Sequence, residues 1–210
     1  MNRFIFILIT SIVIALQSCG DRDPNKNIEE GTIDKQTYTS NEIGWTMEIP
    51  KGWKMRNLEK IKENNDKGLK AIEETIGASI DHSDLKNLLS MQKDPFNIFH
   101  STSEPFESEY EGEWKDTDAA LKEILYVTFE NQGIKADTTV TKIVTIDGID
   151  FNNYSIFIYA PNGDLIMEQI IFGSLINGFD FGVSISSNNE KDKNELLNAF
   201  KYSKFKTQSK

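Results

Sequence analysis

Apolar positions along this chain recur with two periods, and the switches between them predict its elements. Ile43, Trp45, Met47 and Ile49 alternate with Gly44, Thr46 and Glu48, the period of two expected of a strand with one buried face. Pro50-Lys51-Gly52 then turns the chain before Trp53. Leu58, Ile61, Leu69, Ile72 and Ile76 fall on one face at helical spacing, and Gly77 supplies a stop because glycine adopts the left-handed conformation that ends helices. Residues 88–92 and 96–102 predict two short strands around the Asp94-Pro95 turn. Leu121, Ile124, Leu125 and Phe129 predict a second helix, with Asp116, Thr117 and Asp118 as caps at its start and Gly133 past its end.

Residues 138–187 carry the strongest pattern. Val140, Val144 and Ile146 lead to Asp147-Gly148, residues 151–159 to Asn162-Gly163, and residues 165–176 to Asn177-Gly178. Phe179, Phe181, Val183 and Ile185 then alternate with Asp180, Gly182, Ser184 and Ser186. An Asx-Gly pair suits a tight hairpin because both central residues of a type I′ turn need positive φ, so this region predicts a four-strand antiparallel meander. Ser187-x-x-Glu190 matches a capping box, and Leu196, Leu197 and Phe200 give the last helix its apolar stripe. Strands that come in blocks, with helices between the blocks, predict an α+β class, an antiparallel sheet covered by helices. The expected division is a leader over 1–18, a tether over 19–37, one domain over 38–206 and a tail over 207–210.

This order of elements, with Gly44-Trp45-Thr46-Met47-Glu48-Ile49-Pro50-Lys51-Gly52-Trp53 at the start and Ala199-Phe200-Lys201-Tyr202-Ser203-Lys204-Phe205 at the end, resembles the PsbP-like α/β/α sandwich superfamily across residues 38–206. That superfamily includes a photosystem accessory subunit, a nuclear-import factor that binds a small GTPase, DcrB-type bacterial lipoproteins and secretion chaperones. The resemblance implies binding in place of a shared catalytic site. It transfers no functional residue, since Trp45 and Trp53 read as core and turn residues. The Lys-, Asn- and Ile-rich chain is also similar to small flavobacterial lipoproteins of uncharacterised role.

The amino terminus departs from both periods. Residues 4–16 are apolar apart from Thr10 and Ser11 and follow Arg3, a signal-peptide pattern; thirteen residues reach only about 20 Å, short of the ~30 Å hydrocarbon core. The run ends at Leu16-Gln17-Ser18-Cys19, which resembles a bacterial lipobox. The resemblance implies cleavage before Cys19, lipidation of its thiol and acylation of the new amino terminus. Gln17 is larger than the residue the family usually has there. Two or more acyl chains anchor stably where one is marginal. Residues 20–36 hold two isoleucines and no aromatic residue and read as a flexible tether spanning about 20–25 Å.

Charge and cysteine usage narrow the class. A net charge of -10 over 210 residues argues against nucleic-acid binding and against attraction to anionic headgroups. A lone cysteine cannot form an intramolecular disulfide. Catalytic signatures are sparse. Asp81-His82-x-Asp84 lacks the nitrogen and sulfur ligands of a closed zinc site and reads as a polar loop, while His100 reads as a sheet-surface residue. No G-x-S-x-G run or phosphate loop occurs. Residues 104–118 hold seven carboxylates and one lysine without the spacing of a calcium loop. Interleaved there are Phe106, Tyr110 and Trp114, whose alternation with acids suggests a protein-binding surface, or rings that seal the core. The expectation is a non-catalytic envelope lipoprotein without metal or cofactor, anchored through Cys19 and binding a protein or peptide. A hydrolase with an unrecognised site and a module capturing a small ligand for uptake are the alternatives. The expected location is the cell envelope, at the inner membrane, the outer membrane or the cell surface.

Overall fold

A computed structural model describes residues 23–206 of the chain. A 3₁₀ turn at Pro24–Asn27 leads into β1 (Thr32–Asp34), β2 (Thr37–Thr39), β3 (Trp45–Glu48) and β4 (Lys54–Met55). Next come α1 (Leu58–Ile76), β5 (Lys86–Gln92), β6 (Ile98–Pro105), α2 (Glu113–Asn131) and β7 (Lys135–Thr138). The chain finishes with β8 (Lys142–Ile146), β9 (Ile149–Tyr159), β10 (Leu165–Ile176), β11 (Phe179–Ser187), α3 (Glu190–Lys201) and β12 (Lys204–Phe205).

The strands form a large antiparallel sheet in the order β4-β5-β6-β11-β10-β9-β7, with β8 also paired to β9, and a small sheet in the order β1-β2-β3-β12. Within the large sheet β8 to β11 make the expected meander. Its turns follow from backbone chemistry: Asp147 and Gly148 have φ of 49° and 84°, Asn177 and Gly178 of 53° and 83°, the double positive φ that Asx-Gly tolerates. Both Asx side chains also hold the small sheet in place. Asp147 Oδ2 accepts from the Phe205 amide at 2.9 Å, and Asn177 Nδ2 donates to the Ile43 carbonyl at 3.1 Å.

Alternation along β11 sends Phe181, Val183 and Ile185 to one face and Asp180, Gly182 and Ser184 to the other. The apolar face packs against the small sheet and α3. Trp45 is fully buried there, its ring 5.1 Å from Phe181 and 5.3 Å from Tyr38, and Phe99, Phe151, Phe172 and Phe200 close the cluster. Each such ring stabilises the fold by roughly 1.5–3 kcal/mol through burial. The opposite face lies under α1 and α2 and has a smaller cluster, Ala136, Tyr154, Ile156 and Ile158 with Leu125 and Phe129 of α2. Both clusters are built from residues 28–205, so the folded unit carries its own core.

Four expectations need correction. From residue 24 the supposed tether is part of the fold: Ile28 and Ile33 are buried, and Glu29 Oε2 accepts from the backbone and side-chain nitrogens of Asn87 at 2.8 and 2.7 Å. The two isoleucines, the paired Glu29 carboxylate and the pairing of β1 with β2 dock it. α2 starts at Glu113, ahead of Asp116, Thr117 and Asp118, after a left-handed Gly112 that supplies no side-chain cap. Asn189, not Ser187, caps α3, accepting from the Asp192 amide at 2.9 Å; Ser187 Oγ instead donates to the buried Asn97 Oδ1 at 2.7 Å. The strand expected around Val140 divides into β7 and β8, with Val140 exposed between them. The leader over 1–18, Cys19 and the tail over 207–210 lie outside the described residues.

Candidate binding cleft

Phe106, Tyr110 and Trp114 do not share a surface. Trp114 lies in the first turn of α2 with its side chain buried, and its indole Nε1 donates to Asp180 Oδ1 at 2.9 Å. Phe106 is half-buried, with its backbone amide bonded to the Gly178 carbonyl. Tyr110 alone is well exposed, its hydroxyl 3.2 Å from Asp116 Oδ2. The three rings span a loop and a helix start, so Trp114 belongs to the core and not to a partner surface.

The two histidines line one cleft but differ in exposure. His82 is exposed in the loop after α1, with Nε2 3.8 Å from Asp66 Oδ1. His100 is on β6, on the sheet face that α1 and α2 cover, and not on an open sheet surface. Among the described residues no group of three or more histidine, cysteine or carboxylate side chains is placed to hold a metal ion.

His100 instead forms the floor of a cleft of about 460 Å³ between the sheet and the two helices, within the size range of about 300–1,000 Å³ common for small-molecule sites. Strand register assembles that floor. Ser184 of β11 lies opposite His100 and Gly182 opposite Thr102, while Ile171 of β10 lies opposite Ser184. Gln169 Nε2 donates to Ser184 Oγ at 2.8 Å. The roof comes from the helical stripes, Leu69 and Ile72 of α1 and Leu121 and Leu125 of α2, with Asn64 and Asn65 of α1 completing the lining. These side chains satisfy the helical period but do not close on the sheet, and Ile61 is the only residue of α1 fully buried. Gly68 on α1 also lines the cleft, and a Cβ built there would meet nothing within 4 Å.

The electrostatics separate the cleft from its surroundings. Burial, reinforced by the charge of Arg56, pushes the His100 imidazole down to about 4, so it is neutral at physiological pH. Its Nδ1 is sealed from solvent and has no hydrogen-bond partner. Three carboxylates sit further along the same face, with Glu104 opposite Asp180 in the β6–β11 register. Burial raises the pKa of Asp180 against the lowering hydrogen bond from Trp114, and the charge of Asp118 raises it further. Burial raises Asp118 as well, opposed by the hydrogen bond from Asn152 Nδ2 at 2.7 Å. Room for Asp118 depends on Gly173, since a Cβ there would stand 2.9 Å from Asp118 Oδ1.

The arrangement offers neutral donors and acceptors beneath an apolar roof. Thr102, Gln169 and Ser184 escaped the sequence reading because alternating polar positions on a strand look like a solvent face. The available signal was the size of Gly182 and Ser184, small residues in a strand that two helices must cover.

The solution structure of the cyanobacterial PsbP from Synechocystis sp. PCC 6803 superposes with a TM-score of 0.55, covering 81% of this chain and 92% of that one at 12% sequence identity. The fold is PsbP-like. No protein-family profile and no curated protein matches the chain. At that identity the likeness concerns backbone architecture, so the chemistry of this PsbP-like domain is read from its own side chains.

Proposed function

We propose that the PsbP-like domain is a non-catalytic binding module of the bacterial cell envelope, anchored through lipid on Cys19, whose cleft beneath α1 and α2 captures a small molecule. The observation that carries this reading is the cleft itself, concave, apolar above and hydrogen-bonding below. Anchoring rests on the apolar run over residues 4–16 and its ending at Leu16-Gln17-Ser18-Cys19. Action by binding is supported by His100, whose Nδ1 has no carboxylate to orient it, the arrangement a histidine base usually needs. A protein or peptide partner at Tyr110, exposed among the acids of residues 104–118, is the second reading. The burial of Trp114 removes one of its three rings.

A thermal-shift screen of residues 20–210 against small-molecule pools tests the proposal, since a ligand at a hundred times its Kd stabilises by about 2.7 kcal/mol. The expected hits raise the Tm of the wild-type protein and lose that effect in Leu121→Trp, whose indole fills the cleft from an exposed helix position. Hits that stabilise both proteins equally place binding elsewhere and overturn the reading.

A further inference from the structure

We infer that the ligand of this cleft is an uncharged amphipathic molecule, with an apolar body against α1 and α2 and a hydroxyl or carbonyl oxygen at His100; this rests on the capture reading above. Charge is the first argument. Charged residues make up 27% of the chain, yet no Asp, Glu, Lys or Arg lines the cleft, and its second histidine, His82, is exposed beside Asp66 and away from the buried floor at His100. The Arg56 guanidinium, whose charge reaches His100, donates to Ser90 Oγ at 3.3 Å and is not part of the lining. An ionised ligand group would therefore be buried without a counter-charge, the costliest form of desolvation. An anion would in addition lie near Glu104 and Asp180, further along the same face.

Hydrogen bonding is the second argument. His100 is neutral, so it holds one proton for its two ring nitrogens. Nδ1 is closed off without a partner, which leaves Nε2 for a molecule in the cleft. On the neighbouring strand Ser184 Oγ already accepts from Gln169, and a hydroxyl oxygen that accepts can still donate. A ligand hydroxyl matches either His tautomer, and a carbonyl matches the one protonated on Nε2. The leucine and isoleucine roof takes the remaining, apolar part of the molecule.

Three probes with the same eight-carbon body test this: 1-octanol, octanoate and octylammonium, titrated into residues 20–210 with ¹³C,¹⁵N-labelled histidine and followed by NMR at neutral pH. Octanol is expected to shift the ring signals of His100 and to bind about tenfold or more tightly than either ion. Leu121→Trp, which retains the His100 signals of a folded protein, is expected to abolish that shift. Octanoate or octylammonium binding as tightly as octanol overturns the ligand class while leaving capture in the cleft standing. Octanol that moves His82 but not His100 overturns the assigned hydrogen bond. No response to any of the three overturns the ligand class, while capture in the cleft stands or falls with the thermal-shift screen.

Discussion

Trp114 Nε1 donates to Asp180 Oδ1 at 2.9 Å, tying the first turn of α2 to β11 across 66 residues of sequence. The bond supports a carboxylate that burial would otherwise leave poorly solvated. Trp114→Phe keeps an aromatic ring but removes the donor, and a hydrogen bond to a charged group contributes about 1.5–3 kcal/mol. Urea unfolding at pH 7 is expected to register a loss in that range. Asp180→Asn retains an acceptor for the indole and removes the buried charge. Because the folded pKa of Asp180 lies above the ordinary 3.8, stability is greatest below that value and falls as pH rises through the raised one. Asp180→Asn should flatten this decline and be no less stable than the wild type at pH 7.

His100 titrates with the opposite sign. Its folded pKa of about 4 lies below the ordinary 6.5, so the unfolded chain binds the proton first. The associated stability is present above pH 6.5 and is lost as pH falls toward 4. An NMR titration of the imidazole Cε1–H signal should give a midpoint near 4, and His100→Gln should reduce the loss of stability across that window. A midpoint near 6.5 would mean that the ring is solvated and the cleft open to bulk water.

Ile33 distinguishes a docked N-terminal segment from a tether. It is buried in β1, with its amide bonded to Asn25 Oδ1 at 2.7 Å. Ile33→Ala is expected to cost about 2–5 kcal/mol, as for other large-to-small changes in a core. A loose tether predicts no change in the unfolding midpoint.

Gly68 weakens α1 at a position where nothing requires glycine. Its φ is not positive, and an added Cβ meets open space. Gly68→Ala should raise stability by about 0.5–1 kcal/mol in equilibrium unfolding, the usual gain in a helix interior.

These cases also divide what was legible in the sequence from what was not. The turns at Asp147-Gly148 and Asn177-Gly178 depend on the backbone preferences of adjacent residues, so the meander could be read directly. Gly77 ended α1 for the same local reason, in the left-handed conformation with φ of 70°. The start of α2 was hidden because Gly112 offers no capping side chain, while Asp116, Thr117 and Asp118 downstream looked like better caps. Trp114 could not be placed without Asp180, and Ile33 could not be counted as core without the sheet it joins. β7 is four residues, Lys135–Thr138, with Ala136 as its only buried one, too little alternation to stand out. The cleft was the least legible feature. Its roof was visible as helical stripes and His100 was singled out, but only strand register brings His100, Thr102 and Ser184 beneath that roof.

The most direct test of the capture reading is the small-molecule content of the protein itself. The full chain, expressed in bacteria and purified, is extracted with organic solvent beside its Leu121→Trp variant, and the two extracts are compared by mass spectrometry. Capture in the cleft predicts a species near one molecule per chain in the wild type that is missing from the variant. Identical extracts from two folded proteins would contradict it.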